Sequence, residues 1–207
     1  MNNISSAIYT ALEWITRFAY VNLLWVAFTL VGGILLGFYP STLAMFAIVR
    51  DWLRGKYDFP IFTTFWSYFK SEFIKGNKLG IFITMLFILI GLDLFYIQVN
   101  LNHLLSWTSI PLFAFIVIFL LFLFYIFPAF VHYDLNVFQL IKNAFLIMLI
   151  NPIHSFLIIL CLTFVYVIMS IVPALFFIFG GITYAFMTMW LCLHAFHRIE
   201  KKKESIE

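Results

Sequence analysis

Charge is what this chain has least of. Of its 207 residues only 12 are Lys or Arg and 9 are Asp or Glu, so 10% are charged, against about 25% in a soluble domain. With 65% hydrophobic residues, a soluble fold of this size has too little polar material to cover itself, because a large share of its surface must face water. A lipid solvent removes that demand. Only two cysteines are present, Cys161 and Cys192, both inside apolar runs. Buried thiols of this kind behave as small hydrophobes, so no disulfide is expected. The start of the chain lacks a basic region, apolar core and cleavage site in signal-peptide order, and the common lipidation motifs are absent. The first long apolar run is therefore expected to stay as a membrane helix. No basic run sits on a soluble domain, which argues against a nucleic-acid partner despite the net charge of +3.

Long apolar runs, by contrast, are plentiful. A helix needs about 20 apolar residues to cross a bilayer, and five segments qualify: Phe18 to Phe38, Leu79 to Val99, Thr108 to Phe127, Ile153 to Val172 and Ala174 to Phe196. The expected fold is all-α, a polytopic helical membrane bundle forming a single domain over residues 1–207. Five transmembrane helices are joined by interfacial amphipathic helices. Trp107, with Ser106 and Thr108, marks an interface at the start of the third span.

Half of the basic residues (Arg50, Arg54, Lys56, Lys70, Lys75 and Lys78) lie between the first and second spans, in residues 39–78. Five spans with the N-terminus outside put this stretch, Lys142 and the basic tail 198–207 in the cytoplasm, leaving only Arg17 outside. The positive-inside rule favours that orientation. Within the stretch, Thr42 to Leu53 is expected as a short interfacial helix after the start signal Pro40-Ser41. Phe62, Phe65, Trp66, Phe69 and Phe73 recur at spacings of three and four, an amphipathic helix from Phe62 to Lys75 lying on the inner membrane face, stopped by Gly76-Asn77. Residues 1–17, with Ile4, Ile8, Leu12 and Ile15, form a third amphipathic segment on the outer face. A weak internal repeat is visible. Phe38-Tyr39-Pro40 and Ile126-Phe127-Pro128 each end a span, and Asn77 and Asn151 each precede the next one. It predicts two similar hairpins with bent helix ends at Pro40 and Pro128, the second containing a helix from Asn136 to Ile150.

Residues 22–80 carry a resemblance. They read Asn22-Leu23-Leu24-Trp25, then Phe38-Tyr39-Pro40-Ser41-Thr42, then Arg50-Asp51-Trp52-Leu53-Arg54-Gly55, then Phe59-Pro60 with Phe65-Trp66 and Phe69-Lys70, then Asn77-Lys78-Leu79-Gly80. This resembles the YesL-like family of bacterial integral membrane proteins of unknown function. The resemblance implies a Gram-positive source, the cytoplasmic membrane, and genes neighbouring carbohydrate ABC importers and polysaccharide-degrading enzymes. It supplies no catalytic residues. The loop after the third span departs from the family pattern, since Asn136 to Ile150 carries only Lys142.

Several residues stand out chemically. Arg50, Asp51, Trp52 and Arg54, with Trp66 and Lys70, are the candidates for docking a cytoplasmic partner, because Arg and Trp dominate such contacts. The competing reading is an anchor, with Trp52 among headgroups and the arginines on lipid phosphates. Asp93 lies inside the second span, about 9 Å from its outer end, and an intramembrane carboxylate is a functional candidate. It either meets a proton or substrate, or is a carboxyl hydrogen-bonded within the bundle near Gly91. His132, Asp134, His154, His194 and His197 are metal-ligating types, but their spacing matches no metal motif, and snorkelling to headgroups explains them. No metal or cofactor is expected. Gly33 and Gly37, four apart, form a close-packing motif. The overall expectation is a non-enzymatic accessory or regulatory membrane protein working with an oligosaccharide uptake system, its partners the bilayer and an ABC-importer permease. The other expectation is a small solute transporter or channel acting as an oligomer, which Asp93, the repeat and the proline-broken helices motivate. A membrane-embedded enzyme needs convergent nucleophiles or metal ligands that the spacing does not provide.

Overall fold

A computed structural model describes residues 3–99 and 106–204. Among these residues the chain forms eight helices: α1 (Asn3–Val31), α2 (Leu35–Leu53), α3 (Ile61–Ser71), α4 (Phe73–Val99), α5 (Ser106–His132), α6 (Val137–Ile150), α7 (Pro152–Ile171) and α8 (Pro173–Glu204). Five of them (α1, α4, α5, α7 and α8) are long and apolar enough to cross a membrane. The protein is a multi-pass helical membrane protein. The expected outer turn from Asn100 to Trp107 lies largely outside the described residues.

The expected first span, Phe18 to Phe38, is not one helix. It breaks at Gly32-Gly33-Ile34, and α2 folds back along α1. Gly33 has φ +79° and Ile34 φ 59°, the left-handed region that glycine tolerates and a β-branched residue rarely adopts. The reversal is tight because Gly32 faces Gly37. A Cβ on Gly32 would come 2.4 Å from the Gly37 Cα, and one on Gly37 would come 2.5 Å from the Thr29 carbonyl oxygen. The close packing expected of Gly33 and Gly37 is thus made by Gly32 and Gly37, while Gly33 makes the turn.

The segment 1–17 is likewise no separate helix, since α1 runs unbroken from Asn3. Nor does it lie on the face opposite residues 50–57. The Arg17 guanidinium donates to the Tyr57 carbonyl at 3.0 Å, and Trp14 packs against both Trp52 and Tyr57. The start of α1 and the end of α2 share one end of the bundle. An antiparallel hairpin leaves no other arrangement.

The largest correction concerns Thr42 to Leu53. These residues are not interfacial. They are the buried second half of α2, and Leu43, Phe46, Ile48, Val49 and Trp52 are all at most 1% exposed. At about 1.5 Å per residue, α2 is about 28 Å long and packs against α1, α3, α4, α5 and α8. Pro40 sits inside this helix and Pro128 inside α5, so neither marks the end of a helix as the repeat predicted. Proline removes one intrahelical bond. In α5 the Phe124 carbonyl, four residues before Pro128, instead accepts the Cys192 thiol of α8 at 3.6 Å. The repeat keeps one structural trace. Asn77 and Asn151 each donate from Nδ2 to the carbonyl four residues back, at 2.8 and 3.0 Å.

The amphipathic helix is present as α3. It buries Phe65 and Phe69 and exposes Phe62, Trp66 and Lys70. It ends at Ser71 rather than Lys75, and Gly76-Asn77 lie inside α4. Gly76 starts no loop because it is a contact point: a Cβ there would come 2.7 Å from a Leu43 methyl. Phe28 of α1 seats the helix, with its ring 5.2 Å from those of Phe65 and Phe69. The helix expected over Asn136 to Ile150 is α6.

Candidate functional site

Polar side chains gather at the end of the bundle where α2 and α5 finish. Placing charge there requires partners, because an unpaired buried ion is costly. Asp51 is 7% exposed. Its Oδ1 accepts from Arg50 Nε and Nη2 at 3.1 and 2.9 Å, and its Oδ2 accepts the Tyr68 hydroxyl at 2.6 Å. Arg50 Nη1 also donates to the Val131 carbonyl at the end of α5. One ion pair therefore ties α2 to α3 and α5. Desolvation, reinforced by the hydrogen bond to Asp51, pushes the Tyr68 hydroxyl above its ordinary pKa.

Around this knot lies a polar pocket of about 290 Å³ whose walls include Arg50, Tyr68, Glu72, Lys75, Phe130 and Asp134. Lys75 donates to Asp134 at 3.0 Å and sits over the Phe130 ring, 5.7 Å from its centroid. Burial raises the Glu72 pKa, and nearby Asp134 adds to the effect against the opposing charges of Lys75 and Arg50. Arg54 Nη2 lies 3.1 Å from His132 Nδ1. Guanidinium only donates, so Nδ1 accepts and the ring proton sits on Nε2.

The expected docking residues therefore separate. Arg50 is mostly buried, and Asp51 and Trp52 are core, with the Trp52 ring stacked on Phe18 at 5.8 Å and 3°. Asp51 and Trp52 present no surface to a partner or to headgroups, and Arg50 reaches the surface only through the wall of the polar pocket. Arg54, Trp66 and Lys70 remain exposed. Asp93 is exposed in the C-terminal part of α4, so the expected bundle-internal hydrogen bond near Gly91 is not what the structure has. His194 and His197 each donate from Nδ1 to the carbonyl four residues back, both at 2.8 Å. Among the described residues no group of three His, Cys, Asp or Glu side chains is placed to hold a metal ion. Glu72 and Tyr68 were missed by sequence reasoning. Their signal was weak, because each reads as the polar face of an amphipathic helix.

The model of a family described as "Protein of unknown function, DUF624" matches residues 18–94. That range runs from within α1 into α4 and includes the reversal and Asp51. YesV of Bacillus subtilis (strain 168) is 32% identical over 198 residues, 95% of each chain. YteU of the same organism is 43% identical over 124 residues, 59% of this chain and 54% of its own. YesL, also from that organism, is 33% identical over 142 residues, 67% of this chain and 65% of its own. All three are described as uncharacterized proteins. No solved structure matches. With the fold's central reversal and ion pair inside the matched region, and YesV aligned along nearly its whole length, this chain belongs to the YesL-like, DUF624 family of helical membrane proteins.

Proposed function

We propose that this protein is a non-enzymatic accessory subunit of the bacterial cytoplasmic membrane, working with an oligosaccharide uptake system through its permease. The observation that carries the docking part is the exposed segment after α2. Arg54, Lys56, Tyr57, Phe62, Trp66 and Lys70 are all solvent-exposed, and the segment is held at both ends, by Arg17 on Tyr57 and by Tyr68 on Asp51. A basic and aromatic surface on a fixed frame is the composition that interfaces favour. The link to carbohydrate uptake is supported only by analogy of gene context within such families.

The same basic end sets the orientation in this reading. Arg17 lies with Arg50, Arg54 and Lys56, so the positive-inside rule places that whole end in the cytoplasm. The start of α1 and the end of α8 then both face inward. Co-purification in mild detergent tests the docking. The wild type should retain a permease, and Lys56→Glu with Trp66→Ala and Lys70→Glu should lose it while keeping the wild-type elution profile. Normal sugar uptake after deletion of the gene would overturn the proposal.

A transporter is the second reading, favoured by a chamber between α1, α2, α4, α5 and α8. Its lining carries no charged side chain, which argues against a polar solute as cargo. Solute flux in reconstituted vesicles separates the two readings.

A further inference from the structure

The chamber in the half of the bundle away from the basic end has a volume of about 560 Å³, within the range of ligand cavities, about 300–1,000 Å³. Five helices converge on it. Trp25, Phe38, Tyr39, Phe127, Phe177 and Tyr184 are among its walls. Its floor is closed by buried Met45, Ile83 and Phe127, while Phe87, Phe176 and Phe177 at the rim are exposed.

The polar atoms of the lining are already engaged. Trp25 Nε1 donates to Thr42 Oγ1 at 3.0 Å, and Thr42 donates to the Phe38 carbonyl at 2.7 Å. The Tyr39 hydroxyl pairs with Thr84 at 2.7 Å. Asn22 donates to the Phe177 carbonyl at 2.8 Å and accepts from the Ile182 amide at 3.2 Å. Tyr184 donates to the Leu123 carbonyl at 3.5 Å. A resident water needs two to four polar partners, and a charged or sugar-like ligand needs more. Hydrocarbon needs none, and the rim opens at membrane depth where hydrocarbon is the solvent. Gly180 and Gly181 line the space, leaving room that any side chain would narrow.

We infer that this chamber is a binding site for one hydrocarbon chain, drawn either from a bilayer phospholipid or from a free isoprenoid or fatty compound. The inference does not depend on the accessory role proposed above. Gly180 supplies the test, because the nearest atoms to a Cβ there belong to the Phe176 ring, at 3.5 to 3.7 Å, an ordinary van der Waals contact. Gly180 lines the chamber, so Gly180→Phe adds a ring at its wall from a position where the Cβ itself is accommodated. Gly91→Phe, where nothing lies within 4 Å of the added Cβ and the position is not part of the chamber lining, is the control for added bulk.

Native mass spectrometry of protein released from nanodiscs should show one chain-bearing ligand per protein in the wild type and in Gly91→Phe. Gly180→Phe should lose at least tenfold of that occupancy. The bound mass tells phospholipid from a free chain. In parallel, brominated-chain phospholipid should quench the Trp25 emission, taken as wild type minus Trp25→Phe, and Gly180→Phe should relieve that quenching. An absent ligand, or equal occupancy in wild type and Gly180→Phe, overturns the assignment.

Discussion

Trp14 and Trp52 meet edge to face, with ring centroids 5.5 Å apart and planes at 86°. They lie 38 positions apart on antiparallel helices, and their contact closes the mouth of the α1–α2 hairpin. Such aromatic pairs contribute about 0.5–1.5 kcal/mol beyond the area they bury. Phe18 extends the cluster by stacking on Trp52 and touching Phe186 of α8. The hairpin is thereby fastened to the last span.

Because that contact puts the two ends of the hairpin together, an odd number of crossings before α3 is excluded. The expected outcome is that fluorescent-protein fusions at the N-terminus and at the C-terminus both report the cytoplasm. A cysteine introduced at Ile34, in a background without Cys161 and Cys192, should react with an impermeant maleimide from outside intact cells. Cytoplasmic protection of that cysteine would place the reversal on the wrong side.

Burial of Trp52 separates a core residue from an anchor. At 1% exposure, truncating it leaves a large cavity, and Trp52→Ala should cost about 3–5 kcal/mol. An interfacial anchor would lose far less. Thermal unfolding in detergent, compared with the exposed Trp66→Ala, measures the difference. Near-equal losses for the two variants would contradict the buried position.

Much of the fold was readable because lipid imposes a simple rule, that spans are long and apolar. The boundaries of α7 and α8 follow from it within a residue or two at their starts. The period of Phe62, Phe65, Trp66 and Phe69 revealed α3 for a related reason, since one face must find a core. The α1–α2 reversal was hidden by the same rule. Hydropathy across Phe18 to Phe38 stays high whether the chain runs straight or doubles back, and only the glycine spacing hinted at close approach. Arg50 and Asp51 misled for a different reason. Charge in a sequence reads as exposed, but an adjacent ion pair capped by Tyr68 and a carbonyl becomes compatible with burial. The partners that make it so, Tyr68 and Val131, are 17 and 81 positions from Asp51 and Arg50. Nothing in a single sequence links them.

That ion pair should behave as a unit. Tyr68→Phe removes the short hydrogen bond to Asp51 and the longer one accepted from Arg50 at 3.4 Å, and should cost about 1.5–3 kcal/mol. Asp51→Ala leaves the guanidinium without its counter-charge and should cost about 3–5 kcal/mol, reduced somewhat because Arg50 keeps 18% of its side-chain exposure. The double variant should lose less than the sum, since both act on the same carboxylate. Strict additivity in thermal unfolding would show that the hydroxyl and the carboxylate do not cooperate.

Glu72 gives the pocket a pH response whose sign follows from linkage. Burial raises its pKa above the ordinary 4.5, so the folded protein holds this proton more tightly than the unfolded chain. Stability is then fully supported below pH 4.5 and declines as pH rises from there through the raised value. Glu72→Gln keeps the shape of the protonated acid and removes the titration. In mildly acidic to neutral buffer it should unfold at a temperature equal to or above that of the wild type, and its profile across that window should be flatter. Lys75→Met moves the other way: it removes the cation that opposes the rise, so the decline should extend to higher pH. Melting curves of the three proteins at matched detergent and salt decide it. A Glu72→Gln profile parallel to that of the wild type would mean that the carboxylate is as well solvated in the pocket as in the unfolded chain.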